Sequence, residues 1–493
     1  MNISPILFHD GYKVSHRQQY PQNTTMVYSN MTPRSSRVSG INEVVFFGMQ
    51  YFIKKYLIEE FNTNFFNKDK QEVLHQYKRR MDTYLGKDMV PVDHIEALHE
   101  LGYLPIEIKA LPEGSLVPLR VPMFTIKNTL PEFFWLTNSL ETLISNVLWM
   151  PCTSATTALQ YLKRFNKYAD ETVGNRDFVK FQGHDFSYRG LAGGEAALTS
   201  GAGHLLSFVG TDTVPSIDFL EQYYNTDCEN ELVGCSVPAS EHSVMCLNAD
   251  YNSLTPDEYS SIKRLITEVH PNGIVSLVCD SFDFWGVLTK TLKDLKPVIL
   301  SRNGKLVVRP DSGNPVKIVC GDPESPVGTP EHKGAIQCLW ETFGGNINSK
   351  GYMELDSHIG LIYGDSITLQ RQEDILQGLK SKGFASNNVV LGIGSYTYQY
   401  VTRDTFGFAV KATAGIVDGK FREIYKDPKT DDGTKKSARG LLRVEHENGR
   451  YVLYDRQNFE QESRGCLDTV FLNGIMTKET SLSEIRERIK QVS

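Results

Sequence analysis

The sequence predicts an α/β protein, on three observations. From about residue 177, short apolar runs alternate with segments of helical period, the grammar of a parallel sheet. Each run ends in polar or glycine-rich residues. On either side of this region the chain is mixed in character, with alternating strand patterns beside longer helical ones.

In the first 150 residues, VVFFGMQYFIKKYLIEEF has helical periodicity, and PIEIKALPEGSLVPLRVPMFTIKNT alternates and breaks at Pro and Gly as short antiparallel strands do. PEFFWLTNSLETLISNVLW reads as a helix with Pro131 suited to its first turn, and TSATTALQYLKRFNKYAD as a further helix. The apolar runs that follow are FVKF (178–181), LLSFV (205–209), GCSV (234–237), GIVSLVC (273–279), KLVV (305–308), IGLIY (359–363) and NVVLGI (388–393). SIDFLEQYY, SEHSVMCLNAD, FDFWGVLTKTLKDL and SITLQRQEDILQGLK supply helices between them. Seven such strands suggest a (β/α) barrel, with a doubly wound open sheet as the alternative. Residues 320–356 interrupt the pattern as a Gly- and Pro-rich insertion with one helix, AIQCLWETF. After Arg403 come a polar loop, TDDGTKKSARG, a strand, GRYVLYD, and a terminal helix, SLSEIRERIKQ, opened by a Ser481/Glu484 capping box.

The strand ends carry the chemistry. FVKF leads to His184, Asp185 and Arg189, LLSFV to Asp212, and GCSV to Glu241 and His242. GIVSLVC leads to Asp280 and Ser281, KLVV to Arg309 and Asp311, IGLIY to Gly364 and Asp365, and NVVLGI to Gly394 and Ser395. The carboxyl ends of parallel strands are where α/β folds bind ligands. A single turn such as VVRPDSGNP reads as a capped strand end; seven converging on one rim make a site. Its cations, Arg189 and Arg309 with Arg403, Lys411 and Lys426 downstream, suit phosphates. Asp280, Asp311 and Asp365 suit Mg²⁺ or sugar hydroxyls. The ligand class is a sugar phosphate or a nucleotide.

Composition sets bounds. The chain has 493 residues, 40% hydrophobic and 23% charged, enough for two or three domains. A net charge of −7 argues against a general nucleic-acid binder. None of the eight cysteines forms a CxxC pair, so they read as buried, reduced thiols of a cytoplasmic protein. The N-terminus lacks a basic region and an apolar core, so no signal peptide is expected, and no run of about 18 apolar residues suggests a membrane span.

Taken in order, DGYKVSHRQQYP, HDFSYRG, GTDT, SVPASEHS, DSFD, RPDSGNP, YGDS, TRD and KDP resemble the nicotinamide phosphoribosyltransferase family, from about residue 5 to residue 490. The resemblance implies a dimeric type II phosphoribosyltransferase that joins nicotinamide to phosphoribosyl pyrophosphate with Mg²⁺, in NAD salvage. It implies a central barrel domain at 151–404 and a second, mixed α+β domain built from 1–150 and 405–493. Phe186 and Tyr12 are expected to sandwich the pyridine ring, Tyr12 coming from a second subunit, with Arg189 beside it and Asp212 accepting from the carboxamide. His242 matches a histidine phosphorylated by ATP. Asp280, Arg309, Asp311, Gly364 and Asp365 match the ribose and pyrophosphate surroundings, and Ser395 and Arg403 the 5′-phosphate site. Asp10, Ser236, Ser281 and Gly394 complete the substrate set, and Arg34, Lys411 and Lys426 match pyrophosphate or ATP contacts. Mg²⁺ is expected through the substrate's pyrophosphate, with Asp280 and Asp311 as candidate ligands. The resemblance leads one to expect a glycine-richer loop than GIGSYTY, with Ser395 and Tyr396 standing where glycine is expected. Alternatives on the same scaffold are a nicotinate phosphoribosyltransferase and a catalytically silent binding relative.

Overall fold

A computed structural model describes residues 3–252, 256–426 and 438–493. The chain divides into two compact units: residues 1–156, 219–226 and 401–492 form one, and residues 157–218 and 227–400 the other. The sequence placed the divisions at 150 and 405 and did not single out 219–226.

The second unit is built on six parallel strands: β1 (Gly183–Asp185), β2 (Gly210–Thr211), β3 (Asn272–Val278), β4 (Asn303–Arg309), β5 (Ile359–Tyr363) and β6 (Val389–Ile393). Their order is β2-β1-β6-β5-β4-β3. The extended segment 235–239 joins the two edges, since Cys235 bridges Gly210 and Ala239 bridges Ser276, both in parallel. Thr211 N–H donates to Cys235 O (3.0 Å) and Ser276 N–H to Pro238 O (2.9 Å). The sheet therefore closes into a ring of seven extended segments, the barrel-like option of the two that the apolar runs allowed. One face of the sheet is apolar and buried, formed by Val275, Leu277, Leu306, Val308, Leu361, Leu391 and Ile393.

Two of the expected strands are displaced. Residues 179–181 form a 3₁₀ turn and residues 205–209 follow a helix end, so β1 and β2 begin at Gly183 and Gly210. Both true strands are short and begin with Gly, so the apolar signal came from the flanking residues that pack beneath them. Asn314 settles part of the VVRPDSGNP turn. Its side chain accepts from Val316 N (3.0 Å) and Lys317 N (3.3 Å) and caps the helix Pro315–Cys320, leaving Arg309 and Asp311 for other work. The insertion holds the helix Ala335–Phe343 as expected, and also a hairpin, Gly345–Ile347 with Met353–Leu355.

In the first unit, both chain ends share one antiparallel sheet of seven strands: Lys420–Glu423, Phe408–Val417, Thr24–Pro33, Phe124–Asn128, Ile106–Ala110, Asp468–Leu472 and Ile475–Met476, in that spatial order. Thr24–Pro33 pairs with Phe408–Val417 over its whole length. Met26, Tyr28, Ala414, Leu441 and Leu442 pack together beside it. The two helices expected around residues 131–170 are largely one, Glu141–Thr172, with Pro151 inside it. A proline removes one helical hydrogen bond, but Leu148, Met150, Cys152 and Ala155 are all buried around it, and that burial holds the helix together. The terminal helix Leu482–Gln491 carries its capping box. Most of the polar loop expected at 430–440, and most of KDP, lie outside the described residues. Among the described residues no helix is long and apolar enough to cross a membrane. No cysteine is in a disulfide; Cys152, Cys279, Cys320 and Cys338 are buried, whereas Cys228 is exposed.

Candidate active site

At the carboxyl end of the ring, Phe186, Tyr188, Arg189, Asp212, Glu241 and Arg309 line a cavity of about 300 Å³. That is the low end of the range for small-molecule sites. The floor is set by backbone. A Cβ on Gly392 would stand 2.3 Å from the Phe186 ring, and one on Gly364 would stand 3.0 Å from it. Two glycines thus let the aromatic ring lie against the strand ends. The Arg309 guanidinium lies 5.0 Å from the centre of that ring, a cation–π contact.

Asp212 is the fixed anion of the cavity. His184 Nε2 donates to its Oδ1 at 2.8 Å and Ser236 Oγ donates to the same oxygen at 2.9 Å. Burial pushes the carboxyl up, but the His184 hydrogen bond and charge, the Ser236 hydroxyl and Arg309 outweigh it, so Asp212 titrates below its ordinary value. Beneath it Asp185, fully buried, accepts from Ser187 N (2.9 Å), Ser187 Oγ (2.6 Å) and Thr213 Oγ1 (2.6 Å). One carboxylate thereby clamps the loops on which Phe186 and Asp212 sit.

A second cluster spans the ends of β3 and β4. Asp280 Oδ2 accepts from Asp311 N (2.8 Å) and Ser312 Oγ (2.7 Å). Its Oδ1 is buried without a hydrogen-bond partner and lies 3.8 Å from His242 Nε2. His242 Nδ1 is 3.1 Å from Ser281 Oγ. Arg309 pairs with Asp311 at 3.6 Å. Tyr363 Oη donates to Ser312 O (2.9 Å) and holds the β4 turn. Asp365 accepts from Ser366 Oγ (2.6 Å). Behind Asp280 lies Glu258, 2% exposed; burial first, then the Asp280 charge, pushes its carboxyl up to about 7.

The ring mouth therefore brings together Phe186, Arg189, Asp212, Ser236, His242, Asp280, Ser281, Arg309, Asp311, Gly364, Asp365, Gly394 and Ser395, all on strand ends or the turns after them. Ser395 Oγ occupies space that only Gly190 leaves open, since a Cβ there would approach within about 2 Å (2.1 Å). Asp10, Tyr12, Arg34, Arg403, Lys411 and Lys426 belong to the first unit. There Asp10 accepts from Thr142 Oγ1 (2.7 Å), Arg34 Nε donates to Gly407 O (3.1 Å), Arg403 lies 3.4 Å from Asp404, and Lys411 lies 3.7 Å from Glu141. Tyr12 is 62% exposed. Ser312 and Glu258 were not picked out beforehand. Ser312 sits inside a motif already singled out, whereas nothing in the sequence distinguishes Glu258 from a surface glutamate.

Residues 181–473 match the nicotinate phosphoribosyltransferase family, and residues 4–108 match the N-terminal domain of nicotinamide phosphoribosyltransferase. A nicotinamide phosphoribosyltransferase of Acinetobacter baylyi is 54% identical, over 99% of this chain and 97% of its own. The chain belongs to the nicotinamide phosphoribosyltransferase family. A second relative of that name, from Mycoplasma pneumoniae, is 35% identical over 89% of this chain and 95% of its own. Among solved structures, nicotinate-nucleotide pyrophosphorylase from Pyrococcus furiosus aligns with a TM-score of 0.60 at 14% identity, covering 99% of this chain and 95% of that one. Human nicotinic acid phosphoribosyltransferase aligns at 0.55 and 13% identity, covering 98% and 93%. At such identities the likeness is one of fold, and the fold is that of a two-domain phosphoribosyltransferase.

Proposed function

We propose that the protein transfers the phosphoribosyl group of phosphoribosyl pyrophosphate to nicotinamide, giving nicotinamide mononucleotide and pyrophosphate for NAD salvage. The observation that carries the choice of base is Asp212, an ionised carboxylate in the cavity that holds Phe186. A carboxamide N–H₂ donates to it. The carboxylate of nicotinate brings a second negative charge, which a partly desolvated pocket rejects. Members of this fold are named for both bases, so the fold alone does not decide this point, whereas the full-length relatives are named for nicotinamide.

The geometry suits the chemistry. The pyridine nitrogen attacks the anomeric carbon as pyrophosphate leaves, through a transition state with oxocarbenium character. Asp280 and Asp311, tied to each other through the Asp311 N–H, place negative charge where the sugar becomes positive. Arg309 and Arg189 face the anionic end of the substrate. The work is positioning and charge, with no covalent bond from protein to sugar. Mg²⁺ belongs to this proposal. The unpartnered, buried Oδ1 of Asp280 and the nearby Asp311 carboxylate fit a divalent cation, whose contribution is to neutralise pyrophosphate.

Three finer readings are included. His242, with its side chain 48% exposed, takes the γ-phosphoryl group of ATP: an N–P bond forms as the P–O bond to ADP breaks, and water later cleaves the phosphohistidine. The enzyme works as a homodimer, with Tyr12 of each subunit covering the ring in the other's cavity; the exposure of Tyr12 supports this. It acts in the cytoplasm.

The test is product formation from phosphoribosyl pyrophosphate with nicotinamide or nicotinate, in the parent and in Asp212→Ser. The parent should favour nicotinamide by at least 100-fold in kcat/KM, and the variant should lose about two-thirds or more of that preference on a logarithmic scale, in keeping with about 1.5–3 kcal/mol for a hydrogen bond to a charged group. Equal preference in both proteins removes Asp212 from base selection.

A further inference from the structure

Two loops at the ring mouth are joined from below by one imidazole. His204 closes the helix Gly194–His204 and is fully buried. Its Nε2 lies 3.0 Å from Gly210 O and its Nδ1 2.7 Å from Tyr398 Oη. A carbonyl only accepts, so Nε2 carries the proton. Burial holds the ring below its ordinary pKa and therefore neutral, so Nδ1 is an acceptor and the Tyr398 hydroxyl its donor. Burial also drives the Tyr398 phenol well above its ordinary value, so it keeps the proton it donates. Phe208, stacked on the imidazole at 5.1 Å, fixes the ring plane.

The two ends of this connection differ in purpose. Gly210 opens β2, two residues before Asp212. Tyr398 closes the turn Ser395–Tyr398, which begins just after Gly394 at the end of β6. Backbone bonds close the turn, from Thr397 N and Tyr398 N to Gly394 O (3.1 and 3.2 Å) and from Gln399 N to Ser395 O (2.7 Å), and side chains tie it to its surroundings. Thr397 Oγ1 donates to Ile367 O (2.8 Å), and Gln399 Oε1 accepts from Ala192 N (2.7 Å). The rings of Tyr396 and Tyr400 stack at 5.4 Å. A run of glycines could make none of these side-chain contacts. The glycine-poor sequence GIGSYTYQY thus gives this loop a fixed shape, and the Tyr398 hydroxyl ties that shape to β2.

We propose that His204 is a positioning residue that, through Tyr398, couples the loop 394–400 to the strand end carrying Asp212, so that binding of phosphoribosyl pyrophosphate at the loop and of the amide base at Asp212 are linked. The part played by the two substrates rests on the functional reading above; the mechanical link does not. Linkage is reciprocal, so removing one hydroxyl should weaken both sites together.

The experiment uses the full chain and the variant Tyr398→Phe, which deletes one O–H. Hydrogen exchange should quicken in peptides covering 394–400 and also in those covering 208–213. The KM for phosphoribosyl pyrophosphate should rise at least fivefold and that for nicotinamide at least threefold, with kcat falling less than either rises. His204→Gln keeps a donor for Gly210 O but loses the ring acceptor, and should reproduce both changes; it carries the same readouts should Tyr398→Phe fail to fold. The double variant should be no more than about twofold worse than the worse single one. Faster exchange confined to 394–400, or both KM values within twofold of the parent whatever the melting temperature does, overturns the proposal. A parent that makes no nicotinamide mononucleotide overturns the functional reading instead, and the exchange pattern still decides the link.

Discussion

Asp280 holds Asp311 by its backbone: the Asp311 N–H donates to Asp280 Oδ2 at 2.8 Å, while the other Asp280 oxygen is buried with no hydrogen-bond partner. One oxygen therefore builds the β4 turn and the other lies 3.8 Å from His242 Nε2. Asn at position 280 keeps an acceptor for the turn and loses the charge. Asp280→Asn should lower kcat by about 10²–10³, the scale of one preorganised electrostatic contact, and shift the melting temperature little. Asp280→Ala should lower both. Steady-state kinetics beside thermal melts check this; an Asn variant within threefold of the parent would show that the charge is not used.

His242 offers a different signature. Its half-exposed ring is bracketed by Ser281 and Asp280, an arrangement that orients one imidazole, and the proposed phosphoryl transfer to it can be tested directly. Incubation with γ-labelled ATP should give an acid-labile, base-stable protein label. His242→Ala should abolish the label and make turnover with ATP equal to turnover without it. A label that persists in the variant, or an ATP effect of the same size, excludes His242 as the acceptor.

The strand-end residues were legible because chemistry at the carboxyl ends of parallel strands is punctuated by residue types that strands do not otherwise contain. Arg309 and Asp311 stood out against KLVV, and Asp280 against GIVSLVC. The seven-segment ring was legible in number but not in register at β1 and β2. There Gly183–Asp185 and Gly210–Thr211 contain almost no apolar residue, so the pattern pointed to the neighbouring Phe and Val. The joint helix through Pro151 was not legible, because tertiary burial overrides a local breaker. His204 and Glu258, and the clamping role of Asp185, were not legible for another reason. The partners that give them their roles lie far off, Tyr398 194 positions from His204 and Thr213 28 from Asp185, and a buried polar residue reads in sequence like an exposed one.

Glu113 makes the stability of the first unit depend on pH. It is fully enclosed, and burial pushes its carboxyl up to about 7 against the hydrogen bonds it accepts from Gln50 N (2.6 Å), Gly48 N (2.6 Å) and Tyr224 Oη (3.0 Å). Its folded pKa is thus above the unfolded value. Between the two, the native chain binds more protons than the unfolded chain, so stability falls as pH rises toward 7 and levels off above it. Denaturant unfolding of the parent should lose about 2–3 kcal/mol between pH 5 and pH 8 from this group, and Glu113→Gln should lack that slope whatever its absolute stability. Parallel slopes in the two proteins would mean that Glu113 stays ionised throughout.

The seat of Phe186 gives the sharpest steric test. A methyl group on Gly392 would stand 2.3 Å from the ring and 2.7 Å from the Gly364 Cα, so the backbone cannot make room and the ring must move. Movement carries it away from its place beside the cavity and disturbs its contact with Arg309. Gly392→Ala should therefore cost about 1–3 kcal/mol, the usual penalty for overpacking, and raise the KM for nicotinamide about tenfold. Adding Phe186→Leu removes the ring from the clash but leaves the Gly364 Cα, so the double variant should regain only part of the lost melting temperature while the KM stays high, because the flat surface is gone. If Gly392→Ala binds nicotinamide as the parent does, Phe186 is not the surface on which the base rests.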